Sequence, residues 1–158
     1  MIWNCVLYLI IISVMSFFVG RILPKSWFRW DMFPYRSYKF EQNGKIYLKI
    51  GIHKWHNKIP DISKILPFMI PKKKLSSDSI EKMPKMIQET CVAELIHGIN
   101  AIAGLYCLKL CPGIGGIIIS IIYAIIFNLP FVLVQRYNRP RLIELNKKLE
   151  KRRAYAEK

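Results

Sequence analysis

Residues 89–108 read ETCVAELIHGINAIAGLYCL, and the reading of this stretch decides the fold. From Val92 onward it is apolar enough for a membrane helix, yet Glu94 and His97 stand inside the apolar run. An ionisable side chain at bilayer depth is costly, and where it persists it usually marks a site. Their three-residue spacing puts Glu94 and His97 on one helix face, which Thr90, four residues before Glu94, shares. A carboxylate beside an imidazole can fix the ring's tautomer and raise its basicity. A histidine so poised can take a proton from a hydroxyl. The alternative is that the pair only ties one helix to the next.

The rest of the chain supports the membrane reading. Of 158 residues, 53% are hydrophobic, and they gather in runs rather than spreading as a soluble core requires. IWNCVLYLIIISVMSFFVG, residues 2–20, just crosses a hydrocarbon layer of roughly 30 Å at about 1.5 Å per residue. It lacks a positive leader and a small-residue cleavage site, so it reads as a span and not as a removed signal peptide. The second span is expected at about Val92–Leu110 and the third at about Ile114–Val134, joined by the tight turn CPGIGG. The expected fold is an all-α integral membrane protein of one membrane domain, residues 1–158. It has three transmembrane helices, a basic interfacial and cytoplasmic region over 21–91, and an amphipathic C-terminal helix in the tail 136–158.

Charge sets the direction. The formal net charge is +15; 15 of the 25 Lys and Arg lie between Arg21 and Lys85, and 9 between Arg136 and Lys158. All these blocks fall on one side of the spans. The positive-inside rule therefore predicts a multi-pass protein of the cell membrane, N-terminus outside and C-terminus cytoplasmic. WFRWDMFPYRSYKF and IYLKIGIHKW interleave aromatics with cations, as the headgroup layer favours. Residues 46–52 fit a strand or a helix equally, EQNGK suits a turn, and ILPFMIP (65–71) is too short to span and suits the interface. A helix is expected to run from SSDSIEKMPKMIQET into the second span, with Pro84 as a bend. Pro140 suits the first turn of a new helix, whose Leu142, Leu145 and Leu149 among Lys and Arg fit a tail along the inner leaflet or a solvated one.

Other classes fall away. The basic residues flank spans and no nucleic-acid recognition motif occurs, so no nucleic-acid partner is expected. The cysteines (Cys5, Cys91, Cys107, Cys111) form no CxxC pair, and ExxH occurs once where a di-iron bundle needs it twice. No metal or cofactor is expected. Asn128 stands roughly 10 Å inside the boundary at Gln135 and His97 roughly 8 Å inside the boundary at Val92, so an antiparallel hairpin lets them meet. Pro130 frees the carbonyl of Ile126 near that level. QRYNRPRL brings Arg136, Arg139 and Arg141 opposite Glu89, to bind phosphates or to pair with acids and lipid headgroups.

AELIH at 93–97 and QRYNRPRL at 135–142 resemble the corresponding stretches of the staphylococcal glycosyl-4,4'-diaponeurosporenoate acyltransferase family. FEQNGKIY from Phe40, KWHNK from Lys54 to Lys58, and Glu89-Thr90 resemble it more weakly, and the likeness runs along the whole chain. It implies transfer of a fatty acyl group from acyl-CoA or a carrier-bound acyl donor to a sugar hydroxyl of a membrane glycolipid, such as the glucose C6 hydroxyl of a glycosylated carotenoid. The region from Pro60 to Ser79 and the hairpin tip GLYCLKLCPGIGG depart from the family's pattern, which leaves the acceptor open.

Chemistry then suggests roles. His97 is expected to be the general base toward the sugar hydroxyl, oriented by Glu94, with Asn128 bonding the developing oxyanion. Arg136, Arg139, Arg141, Lys54 and Lys58 are expected to hold donor phosphates. Two other readings stay open. One is a non-catalytic polybasic membrane protein that scaffolds a biosynthetic complex or binds anionic lipid. The other is a small transporter subunit.

Overall fold

The computed structural model describes residues 1–55 and 79–156, and no β-strand occurs among them. Three helices are long and apolar enough to cross a membrane: Ile2–Ile22, Lys82–Leu110 and Ile114–Lys151. The protein is therefore all-helical and multi-pass. Its first helix is rich in β-branched residues, which favour strands in water. In a bilayer, only a helix satisfies every backbone group within the segment itself.

In chain order the elements are α1 (Ile2–Ile22), two short 3₁₀ turns, α2 (Ile46–Lys49), α3 (Ile52–Trp55), α4 (Ser79–Ala103), a third 3₁₀ turn (Gly104–Tyr106), α5 (Cys107–Leu110), α6 (Ile114–Ile122), a π-helical turn (Tyr123–Asn128) and α7 (Leu129–Ala156). The ambiguity at 46–52 resolves to helix, and EQNGK is a turn with Gln42, Asn43 and Gly44 at positive φ. The interface reading of residues 65–71 lies outside the described residues. The chain divides into two compact units, residues 1–24 with 92–133 and residues 25–91 with 134–158.

The first unit holds α1, the C-terminal part of α4, α5, α6 and the π turn. Cys5, Cys107 and Cys111 form a buried cluster with Tyr8, Leu9, Leu110 and Ile119 packed on it, so the cysteines serve as small apolar contacts and are all free thiols. Polar side chains lace the helices. Tyr8 donates to the Ala103 carbonyl at 3.0 Å, Ser13 meets the Tyr123 hydroxyl at 2.8 Å, and Ser16 donates to Asn100 Oδ1 at 2.6 Å. Lipid tails give helices no hydrophobic reason to associate, so close packing and such hydrogen bonds hold the bundle.

The second unit is built from the aromatic-basic segment, the start of α4 and most of α7. Pro140 does not open a new helix; it lies inside α7, which continues to Ala156. Pro140 leaves the Arg136 carbonyl without its ladder donor, one bond in a helix of 28 residues. The leucine stripe finds protein cover. Leu142, Ile143, Leu145 and Leu149 pack on Met83, Met86 and Ile87 of α4. Burying that stripe removes apolar area from water at about 25 cal/mol per Å², which gives this polar end of α4 a reason to stay helical around Pro84.

Candidate active site

Within the first unit, His97 and Asn128 meet. His97 Nδ1 lies 3.1 Å from Asn128 Oδ1, and the imidazole stacks on Phe131, centroids 4.4 Å apart at 9°. Asn128 is 2% exposed. The backbone beneath it explains its aim. A proline one turn on cannot donate to the helix ladder and crowds the preceding carbonyls, and widening to a π turn relieves both. The π turn ends at Asn128, two residues before Pro130, and Asn128 Nδ2 donates to the Tyr123 carbonyl at 2.9 Å.

That second bond decides the chemistry of the first. With Nδ2 committed to a carbonyl, the amide presents Oδ1, an acceptor, to the ring. The His97 nitrogen facing it must then carry the proton, so Nδ1 donates and Nε2 keeps its lone pair. The Asn128 amide thus engages both the His97 ring and the Tyr123 carbonyl. Glu94 is half-buried on the same helix, three residues before His97.

Within the second unit, the three arginines of QRYNRPRL part company. Arg136 forms a two-pronged ion pair with Glu41, Nε to Oε1 at 2.5 Å and Nη2 to Oε2 at 2.9 Å. It also donates to the carbonyls of Pro34 and Arg36 and lies 4.8 Å over the Tyr38 ring. Arg139, 3% exposed, donates to Thr90 Oγ1 at 2.8 Å, the Thr90 carbonyl at 3.1 Å and the Tyr35 carbonyl at 2.6 Å. These two guanidiniums are built into the fold. Arg141 is exposed and lies 3.5 Å over the Tyr137 ring. Lys54 is exposed on α3, and Lys58 lies outside the described residues.

Glu41 is the residue that sequence reasoning passed over. It is 2% exposed and accepts hydrogen bonds from Tyr47 Oη, the Tyr38 N–H at 2.6 Å and Arg136. Burial opposes its charge, but the bonds from Arg136, Tyr47 and the Tyr38 amide, with the Arg136 charge, hold its carboxyl below the ordinary range. Burial and the adjoining carboxylate push the Tyr47 hydroxyl up. The signal was a carboxylate in FEQNGK, one of only 10 acids in so basic a chain.

Beside this network a cleft of about 740 Å³ opens, lined by Trp30, Arg36, Lys45, Arg139, Arg141 and Lys147 among others. Gly44, at φ +85°, brings the turn before Lys45 against α7; a Cβ there would lie 3.3 Å from the Tyr137 carbonyl and 3.4 Å from Arg141 Nη1.

The profile of the glycosyl-4,4'-diaponeurosporenoate acyltransferase family matches residues 24–148. The protein of that name from Staphylococcus aureus strain MRSA252 is 36% identical over 149 residues, 94% of this chain and 89% of the relative. Its counterpart from strain N315 is 34% identical over 152 residues, with the same coverage. No solved structure matches the chain. With its profile matched across both units and its relatives aligned over nearly their full lengths, the chain belongs to the glycosyl-4,4'-diaponeurosporenoate acyltransferase family and is an acyltransferase of the multi-pass membrane type.

Proposed function

We propose that the protein moves a fatty acyl group from a thioester donor, acyl-CoA or a carrier-bound acyl chain, onto a sugar hydroxyl of a membrane glycolipid such as a glycosylated carotenoid. The name of its relatives supports that acceptor class. The observation that carries the chemistry is the contact of His97 Nδ1 with Asn128 Oδ1, whose amide Nδ2 is held by the Tyr123 carbonyl, an arrangement that leaves Nε2 as acceptor.

In this reading Nε2 of His97 takes the proton of the sugar hydroxyl as its oxygen attacks the thioester carbonyl. A C–O bond forms, the tetrahedral intermediate collapses, the C–S bond breaks, and the imidazolium returns the proton to the departing thiolate. Asn128 acts as a positioning residue: it holds the ring by accepting from Nδ1–H. Glu94, one turn earlier on the same face of α4, helps to orient the ring. Arg136 and Arg139 shape the basic unit, and Arg141 with neighbouring cations receives donor phosphate.

We place the enzyme in the cell membrane with residues 25–91 and 134–158 on the cytoplasmic side, following the positive-inside rule, and treat the two units as one membrane enzyme. The test is acyl transfer by the purified full chain with acyl-CoA and a glucosylated carotenoid. A His97→Ala protein is expected to lose turnover while keeping its helical content. Full turnover in a folded His97→Ala protein would remove the base assignment. Lipid mass spectrometry of cells with and without the gene tests the acceptor, since an unacylated glycolipid should accumulate without it.

A further inference from the structure

The cleft in the basic unit has a charge balance that its residue list alone hides. Three carboxylates line it, and each is already matched by a cation. Asp31 pairs with Arg29 at 2.7 Å, Glu41 with Arg136 at 2.5 Å, and Glu144 with Lys148 at 2.7 Å. Four lining cations, Arg36, Lys45, Arg141 and Lys147, have no carboxylate partner among the described residues. All four are exposed. Arg141 is steadied from behind by the Tyr137 ring and carbonyl, which engage one face and one N–H of its five-donor fork. One aromatic side chain, Trp30, lines the same cleft while 38% exposed.

Uncompensated cations spread over a face suit an anionic leaflet. Here they share one concavity, whose volume of about 740 Å³ lies in the range that holds a whole small-molecule ligand. An exposed indole in a basic groove is the feature on which a nucleobase stacks; a lipid headgroup phosphate offers nothing to stack. We propose that this cleft binds the nucleotide end of an acyl thioester donor, with Arg36, Lys45, Arg141 and Lys147 holding its phosphates and Trp30 stacking on its base. The proposal rests on the reading of the protein as a thioester-dependent acyltransferase and narrows the donor to the nucleotide-bearing kind.

The test is equilibrium binding of coenzyme A to the full chain in phosphatidylcholine nanodiscs, where the lipid carries no net charge. Lys45→Gln, Lys147→Gln and Arg141→Gln are each expected to weaken binding about tenfold, the loss of one charge-assisted contact. Trp30→Ala should weaken coenzyme A about tenfold and leave phosphopantetheine, which has no base, unchanged. All four side chains are exposed or lie at the surface, and unchanged melting temperatures verify that the variants fold. Absent coenzyme A binding at about 1 mM overturns the proposal. So does equal affinity for phosphopantetheine with no effect of Trp30, which points to a carrier-bound donor. Displacement of coenzyme A by phosphatidylglycerol nanodiscs, with the same residues governing both, assigns the cleft to headgroups and also overturns it. Transfer assays run in parallel separate the two readings. Raised donor KM at unchanged kcat supports both. Coenzyme A binding without any transfer leaves the cleft assignment standing and removes the proposed reaction; transfer without coenzyme A binding does the reverse.

Discussion

Compare how the two units bury polarity. In residues 1–24 and 92–133, the side-chain pairs across helices join Ser, Tyr, Asn and His: Ser13 with Tyr123, Ser16 with Asn100, His97 with Asn128. In residues 25–91 and 134–158, the buried polar side chains include full charges, Glu41 at 2% exposure and Arg139 at 3%, each with several partners. The difference follows from solvent. Among lipid tails an ion has neither water nor a dense supply of carbonyls, so neutral pairs are the affordable form of polarity. In an irregular polar segment, loop carbonyls such as those of Pro34, Arg36 and Tyr35 surround a guanidinium and make its burial tolerable. One unit therefore holds an imidazole against an amide, and the other a guanidinium frame pinned by Glu41 and loop carbonyls.

The largest expected effect would break this comparison at the imidazole. His97→Gln retains an N–H to offer Asn128 but has no basic nitrogen. It should lower kcat by roughly 10²–10⁴-fold, the range for a general base, with little change in melting temperature. An equal loss of stability and activity would make His97 a strut like Arg136. The reverse pattern is expected across the Glu41–Arg136 pair. Arg136→Met strands a buried carboxylate and should cost about 3–5 kcal/mol of unfolding free energy, read by thermal unfolding in detergent. The double variant Glu41→Gln with Arg136→Met should recover part of that loss.

How much of this was legible in the sequence follows the same divide. The spans were legible because apolar runs and charge blocks report directly on the bilayer. The meeting of His97 with Asn128 was legible because hairpin depth follows from rise per residue. What escaped was the assignment of partners. Nothing in ExxH tells that the ring's hydrogen bond goes to Asn128; that depends on a π turn before Pro130 whose geometry no periodicity encodes. Likewise RYNRPRL shows three arginines but not which are spent internally, because Glu41 lies 95 residues from Arg136 and such a pairing is set by tertiary packing. Pro140 misled for a related reason. A proline fits the first helical turn and, where packing outweighs one lost ladder bond, the interior as well.

The buried Glu41–Arg136 pair also carries a pH signature. The folded pKa of Glu41 lies below its ordinary value, so the unfolded chain holds its proton more tightly than the folded one. Stability from this group is fully present above the unfolded carboxylate pKa of about 4.3 and is lost as pH falls through the folded value. Unfolding midpoints should therefore drop as pH descends from about 5, and a Glu41→Gln protein should show a flatter profile. Identical slopes in the two proteins would mean that other carboxylates govern acid unfolding.

The smallest effect tests whether the turn at Gly44 is needed for shape alone or for the cleft. Gly44 and Gly51 both have positive φ, +85° and +67°, so alanine strains the backbone at either position. Only at Gly44 does a Cβ meet other atoms, the Tyr137 carbonyl and Arg141 Nη1; at Gly51 nothing lies within 4 Å. Gly51→Ala should thus cost about 1 kcal/mol from backbone strain. Gly44→Ala should cost somewhat more, about 1–2 kcal/mol, because the turn must retreat from α7. Only the second change shifts the guanidinium of Arg141, so Gly44→Ala should raise donor KM while Gly51→Ala leaves it alone. Equal donor KM in the two variants would mean that Arg141 moves freely over Tyr137, and the fixed placement that separates it from an ordinary surface cation would be lost.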